Sequence, residues 1–170
     1  TDNCMTDEDL IPDNGRDMTL LDPVTVEITV PRDPDAAFIA FTEGFGEWWP
    51  RATHTIAREE CTGIRMQPGL GGEIIETARG REPQIWGKIE IWLPGEQVAF
   101  TWHPGWDSGD YTRVSVSFDQ NAFGHCVIKL VHWEWENLGE IATAVRDGYV
   151  TGWQQVFGEV FATYLRQSNK

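Results

Sequence analysis

Alternation of apolar and polar residues is the clearest pattern along the chain. Residues 24–30 read Val-Thr-Val-Glu-Ile-Thr-Val, and the same period of two recurs in 97–102 and 112–118. This period is typical of a strand with one face in a core. Turn residues such as Pro94-Gly95 separate the segments, and such short connections join antiparallel neighbours. Seven strands of an antiparallel sheet are predicted, at 24–30, 61–66, 73–78, 85–93, 97–102, 112–118 and 125–134.

Helical patterns occur after the first strand and at the end of the chain. Asp33 is a good N-cap, and Pro34 suits the first helical position because its missing N–H needs no partner there. Apolar residues at 153, 156, 157, 160, 161 and 164 have the spacing of an amphipathic helix, predicted over about 144–165. Such a helix is roughly 30 Å long, enough to cross a sheet. The order of elements predicts one α+β domain over 23–168, preceded by an acidic, flexible tail, 1–22.

Several short motifs follow one another along the chain. They are Glu47-Trp48-Trp49-Pro50, Pro68-Gly69-Leu70-Gly71-Gly72-Glu73, Trp86-Gly87-Lys88-Ile89, Leu93-Pro94-Gly95, Phe100-Thr101-Trp102, Leu130-Val131-His132 and Gly152-Trp153. In this order they resemble the START-like superfamily, also called Bet v-like, and within it the activator-of-heat-shock-protein-90-ATPase-like family. The resemblance covers about residues 24–167. It implies a helix-grip fold, in which a curved antiparallel sheet wraps around a long C-terminal helix with a cavity between them.

Charge excludes some classes of partner. Thirteen Lys and Arg against 27 Asp and Glu give a net charge of −14, which repels nucleic acid and anionic membrane surfaces. No apolar run approaches the ~20 residues of a membrane-spanning helix. The three cysteines, Cys4, Cys61 and Cys126, have no metal-ligand spacing, so we expect reduced thiols and a cytoplasmic protein.

Aromatic residues are the most informative part of the composition, with nine Trp and eight Phe. On the helix-grip plan, inward strand residues face the C-terminal helix. They either fill a solid core or line a pocket for a small apolar or aromatic molecule. The residues predicted to contact such a ligand are Trp49, Phe100, Trp102, Val114, Val116, Leu130, His132, Trp153, Phe157 and Phe161.

His132 and Glu134 are the candidate catalytic residues if the protein is an enzyme. Regular alternation would place both on the inward face of the last strand, where a histidine beside a carboxylate can act as a general base. The alternative is a core histidine bonded within the protein. A ligand-binding protein is the leading hypothesis. The alternatives are a polyketide cyclase/aromatase-like enzyme and, as the family resemblance implies, a co-chaperone-type interaction module.

Other signals are missing from the sequence. There is no phosphate-binding loop, no Gly-x-Ser-x-Gly nucleophile motif and no metal-binding histidine spacing, so neither a cofactor nor a metal is predicted. Trp92, Trp133 and Trp135 are expected on the outer face, where an apolar patch would favour a homodimer.

Overall fold

The computed structural model describes residues 21–106 and 109–167. The predicted acidic tail, 1–22, lies almost wholly outside the described residues. The strands are β1 (Val24–Val30), β2 (Cys61–Met66), β3 (Glu73–Ala78), β4 (Gln84–Leu93), β5 (Gln97–Trp102), β6 (Thr112–Gln120) and β7 (Cys126–Trp133). The helices are α1 (Pro34–Thr42), α2 (Phe45–Trp48), α3 (Ala142–Gln155) and α4 (Ala162–Gln167).

The seven strands form one antiparallel sheet in the order β1-β7-β6-β5-β4-β3-β2. The strands from β2 to β6 each pair with the next strand along the chain. The first strand, β1, pairs with the last, β7, and Val24 lies opposite His132. Register shifts interrupt β2, the β3–β4 pair and the β4–β5 pair. Such bulges bend and twist strands, and they accompany the curl of the sheet towards the helix.

The C-terminal helix, residues 142–167, packs along the concave face of the sheet. It runs through α3, a wide π-type segment (Val156–Phe161) and α4. Trp153, Phe157, Phe161 and Leu165 are all at most 2% exposed. Residues four apart drift by about 40° around an ideal α-helix, and the wider turns keep this row facing the sheet.

These observations confirm the α+β helix-grip fold predicted from the sequence. The strand limits agree to within two residues, because turn residues bound the strands and the alternation runs along most of their length. No helix in the described ranges is long and apolar enough to cross a membrane.

Three expectations about side-chain direction are wrong. Trp92 points inward and packs edge-on against Phe38 at 5.0 Å, because the bulge between Ile89 and Ile91 reverses the alternation. Glu134 does not continue β7, which ends at Trp133; its backbone is left-handed, with φ 72°. The chain therefore turns there, and Trp135 becomes fully buried instead of outward-facing. The expected outer patch of three tryptophans does not form, and the homodimer remains a prediction.

Candidate ligand-binding site

A cleft of about 610 Å³ lies beside the C-terminal helix, at the end of the sheet where β5 finishes. Its walls come from one flank of α3 and from the segment between α2 and β2. Many of its rim residues are exposed, so the cleft opens to the surface. The lining residues are Trp49, Thr53, His54, Thr55, Ile56, Arg58, Trp86, Trp102, Pro104, Ala144, Val145, Gly148, Tyr149, Thr151, Gly152, Trp153, Gln155 and Val156.

Four tryptophans form the floor of the cleft. Trp49 lies 5.4 Å from Trp86, 6.0 Å from Trp102 and 5.9 Å from Trp153, measured between ring centroids. Their planes meet at steep angles, an arrangement that suits the quadrupoles of aromatic rings. The four side chains are only 1–7% exposed, so the cluster is tightly packed and contributes a small area of apolar ring to the cleft.

Each floor indole donates its N–H inside the protein, so the floor presents ring surface to the cleft. Trp49 donates to the His54 carbonyl at 2.8 Å, and Trp86 donates to the Glu76 carboxylate at 3.1 Å. Trp102 donates to the Tyr149 hydroxyl at 2.9 Å, and Trp153 donates to Nδ1 of His132 at 2.9 Å. Because buried polar groups need partners, these bonds also fix the orientation of each ring.

Glu76 attaches the rim segment to the sheet. Its carboxylate is 1% exposed and accepts the backbone N–H groups of Ile56 and Ala57, at 2.9 and 2.7 Å, besides the Trp86 indole. The Thr55 hydroxyl donates to the Arg51 carbonyl and accepts the N–H of Arg58. Three consecutive backbone N–H groups, 56 to 58, are therefore held in place beside the cleft.

Three titratable side chains reach the cleft. Burial raises the pKa of Tyr149 to about 12, so its hydroxyl stays protonated at neutral pH. Burial, and secondarily the charge of Arg58, lowers the pKa of His54, which favours a neutral imidazole. Arg58 itself is exposed at the rim and has φ 52°, a left-handed conformation that is uncommon for a residue with a Cβ.

Small residues keep the helix side of the cleft open. Gly148 and Gly152 lie one turn apart on α3, and a Cβ added at either position would meet no atom within 4 Å. Glycine in a helix interior costs up to about 1 kcal/mol relative to alanine. The two glycines therefore reduce the stability of the helix, and they lie at positions where a larger side chain would occupy the cleft.

His132 lies below the floor and not on the cleft surface. It is fully buried; Nδ1 accepts the Trp153 indole N–H, and Nε2 lies 2.6 Å from the Thr112 hydroxyl. An indole N–H only donates, so Nδ1 carries no proton and Nε2 donates to Thr112. Burial lowers the pKa of His132 well below its usual value, so the ring is neutral. Both ring nitrogens are occupied inside the protein, the arrangement of a core histidine.

The ten residues predicted to contact a ligand are divided by the structure. Trp49, Trp102 and Trp153 come together on the floor of the cleft. The other six apolar residues are at most 1% exposed and fill the space between sheet and helix, where the predicted cavity is replaced by packed side chains: Phe100, Val114, Val116, Leu130, Phe157 and Phe161. The expectation that Glu134 accompanies His132 inward is wrong, because Glu134 pairs with Arg113 on the other face of the sheet.

Sequence reasoning missed Glu76, Arg58, Tyr149 and the two cleft glycines. Tyr149 precedes Trp153 by four residues, so extending the helical spacing by one turn would have found it. Glu76 lies two residues after Ile74 in β3, so regular alternation predicts that its carboxylate points inward with Ile74. Arg58 lies in an irregular segment, where no periodicity predicts direction.

The comparisons with known proteins support the fold of the chain but do not assign it to a family. No family model and no curated protein matches the chain. Protein MLL2253 from Mesorhizobium loti, a solved structure, is 15% identical, with a TM-score of 0.59 over 87% of this chain and 99% of that one. The chain has the helix-grip fold. Protein EF2215 from Enterococcus faecalis, of unknown function, is 12% identical, with a TM-score of 0.62 over 89% of this chain and 79% of that one.

An enzyme is also among these structural neighbours. The anthrahydroquino-γ-pyrone synthase Txn09, solved as a complex, is 24% identical, with a TM-score of 0.53 over 76% of this chain and 88% of that one. All three identities are below 25%, so these likenesses show the fold alone.

Within the described part of the chain, no group of three His, Cys, Asp or Glu side chains is positioned to hold a metal ion. The cleft is instead lined by aromatic rings, hydroxyls, one imidazole and one guanidinium.

Proposed function

We propose that the protein binds a small apolar or aromatic molecule in the cleft beside α3. The observation that carries the proposal is the four-tryptophan floor in a cleft of about 610 Å³, a volume within the usual range for small-molecule sites. Aromatic rings with no unpaired indole N–H favour an apolar partner. Membership of the activator-of-heat-shock-protein-90-ATPase-like family is part of the same proposal, and it rests on the sequence motifs.

The first test is to ask what accompanies the protein. Native mass spectrometry of gently purified protein should show an additional small mass, and extraction under denaturing conditions should release it for identification. The same spectrum reports whether the protein is a monomer or the predicted homodimer.

The second test fills the cleft from the helix. Gly152→Leu places a side chain into open space, so the variant should fold with equal or greater stability. Binding of the neutral fluorescent probe N-phenyl-1-naphthylamine should fall at least tenfold. Val150→Leu is the matched control, since Val150 lies on α3 outside the cleft and is 45% exposed. Equal probe binding by both variants would contradict binding in this cleft.

A cyclase-like enzyme using the same cleft is the second candidate function. The fold shared with the Txn09 synthase favours it, as do two titratable side chains on the cleft surface, Tyr149 and His54. His132 and Glu134 were the expected acid–base pair, and neither lines the cleft. An enzyme built on this site would therefore use Tyr149 as a proton donor or His54 as a base, and Tyr149→Phe would abolish turnover of an aromatic polyketide substrate while retaining its binding.

A further inference from the structure

The charge of the cleft differs from that of the whole protein. The chain carries 27 acidic residues, yet among the described residues, 21–106 and 109–167, no Asp or Glu lines the cleft. The one formally charged side chain in that set is Arg58. The nearby Glu76 is covered by the rim segment and compensated by three N–H donors. A positive charge therefore lies at the wall of the cleft, on a protein whose net charge is −14.

Hydrogen bonds to the backbone of residues 56–58 hold Arg58 beside the cleft. The hydrogen bonds of Thr55 and Glu76 to residues 56–58 fix the segment, and Arg58 has a left-handed conformation within it. A non-glycine residue in this conformation is strained, and such strain is concentrated at functional sites. A glycine would avoid that strain, but it would remove the guanidinium from the rim.

Arg58 gives the cleft hydrogen-bond donors that a ligand can use. Arg58 offers several N–H groups at the mouth, and it has no acceptor atom in its side chain. Deeper in, the Tyr149 hydroxyl accepts the Trp102 indole N–H, so its own proton is directed elsewhere. A ligand in the cleft would thus meet the donors of Arg58 at the mouth.

We propose that the ligand of this cleft is an aromatic anion, such as an aryl carboxylate or phenolate. Its ring system lies on the tryptophan floor, and its anionic group pairs with Arg58 at the mouth. This inference rests on the proposed function and deepens it, because it names the chemical class of the ligand and the residue that selects it.

Matched probes test the charge preference directly. 2-Naphthoate and 2-naphthamide have the same ring system and similar shape, and they differ in charge. Their dissociation constants are measured by isothermal titration calorimetry at pH 7.5 and low salt. We expect the wild-type protein to bind 2-naphthoate about tenfold more tightly, the lower end for a charge-assisted hydrogen bond, since Arg58 is exposed.

Variants assign that preference to one residue. Arg58→Gln keeps a Cβ and the same backbone strain, and it should remove the tenfold preference while changing 2-naphthamide binding less than twofold. Arg58→Lys should keep part of the preference, because an ammonium retains the charge but loses the planar donor pair. Arg65→Gln is the control for net charge: Arg65 is exposed on β2 and does not line the cleft.

The outcomes are distinct from those of the Gly152 experiment. If 2-naphthamide binds wild-type protein as tightly as 2-naphthoate, the anion preference is wrong and the aromatic cleft stands. If Arg65→Gln lowers the preference as much as Arg58→Gln, general electrostatics accounts for it and Arg58 does not select the ligand. If neither naphthalene probe binds and N-phenyl-1-naphthylamine also fails to bind, the proposed function itself is contradicted.

Discussion

At the scale of single residues, His132 shows how a candidate catalytic group becomes part of the core. Its two nitrogens complete a chain from Trp153 through the imidazole to Thr112, whose hydroxyl in turn lies 3.3 Å from the Trp102 carbonyl. Trp135 covers one face of the ring, with centroids 3.9 Å apart. The floor of the cleft therefore depends on a neutral His132 underneath it.

This neutrality predicts a stability loss in acid. Burial lowers the folded-state pKa of His132 well below 6.5, so its contribution is present above pH 6.5 and is lost as pH falls below it, when the unfolded chain takes up a proton. The free energy of unfolding should fall by about 1.4 kcal/mol between pH 7.5 and 5.5 from this group alone. Urea unfolding at the two pH values measures it.

Gln is the suitable replacement for isolating the effect of His132. His132→Gln keeps one donor and one acceptor, and it cannot titrate. Contributions from His54 and His103, whose pKa values are also lowered by burial, are present in both proteins and cancel in the difference. A pH dependence as steep in the variant as in the wild type would show that His132 is not the group responsible.

At the scale of elements, the two free edges of the sheet receive arginine side chains. Arg51 donates to the Thr62 carbonyl on β2, and Arg166 donates to the Thr29 carbonyl on β1. An unpaired edge strand is a template for pairing with another chain, and such contacts cover it. Two of the chain's 13 cations are used in this way.

Gly46 marks the closest approach between a helix and the sheet. A Cβ on Gly46 would lie 2.1 Å from the Ile64 carbonyl oxygen, so α2 can pack on β2 only without a side chain there. We expect Gly46→Ala to lower the free energy of unfolding by about 1–3 kcal/mol, as in other overpacked sites. Gly148→Ala, at an open helical position, should instead raise it by up to about 1 kcal/mol. Urea unfolding compares the two, and equal effects would disprove the steric explanation.

The sequence predicted elements better than the direction of individual side chains. The seven strands and the terminal helix follow from periodicity, because a buried face imposes it over many residues. The predicted direction of a side chain is wrong where one residue interrupts the alternation, as at the bulge before Trp92 and at left-handed Glu134. The cleft could be predicted only in part for the same reason: its floor lies on regular elements, whereas Arg58 lies in an irregular segment that tertiary contacts with Glu76 and Thr55 hold in place.

At the scale of the whole molecule, charge is distributed unevenly. The net charge is −14, and four ion pairs are found within the described ranges, among them Arg113 with Glu90 and Glu134 on the outer face of the sheet. Exposed pairs of this kind contribute little to stability. We therefore expect repulsion among the unpaired carboxylates to outweigh these pairs in the folded state.

Screening that repulsion should stabilise the protein. Raising the ionic strength from about 10 to 100 mM shortens the Debye length from roughly 30 to 10 Å, which weakens repulsion between distant carboxylates more than attraction between paired groups in contact. At pH 7.5 we expect the free energy of unfolding to rise by on the order of 0.5 kcal/mol, measured as a higher urea midpoint in NaCl. Arg113→Gln should steepen this dependence, since it removes the cation that joins Glu90 and Glu134. A midpoint that falls with salt would mean that the ion pairs outweigh the net charge.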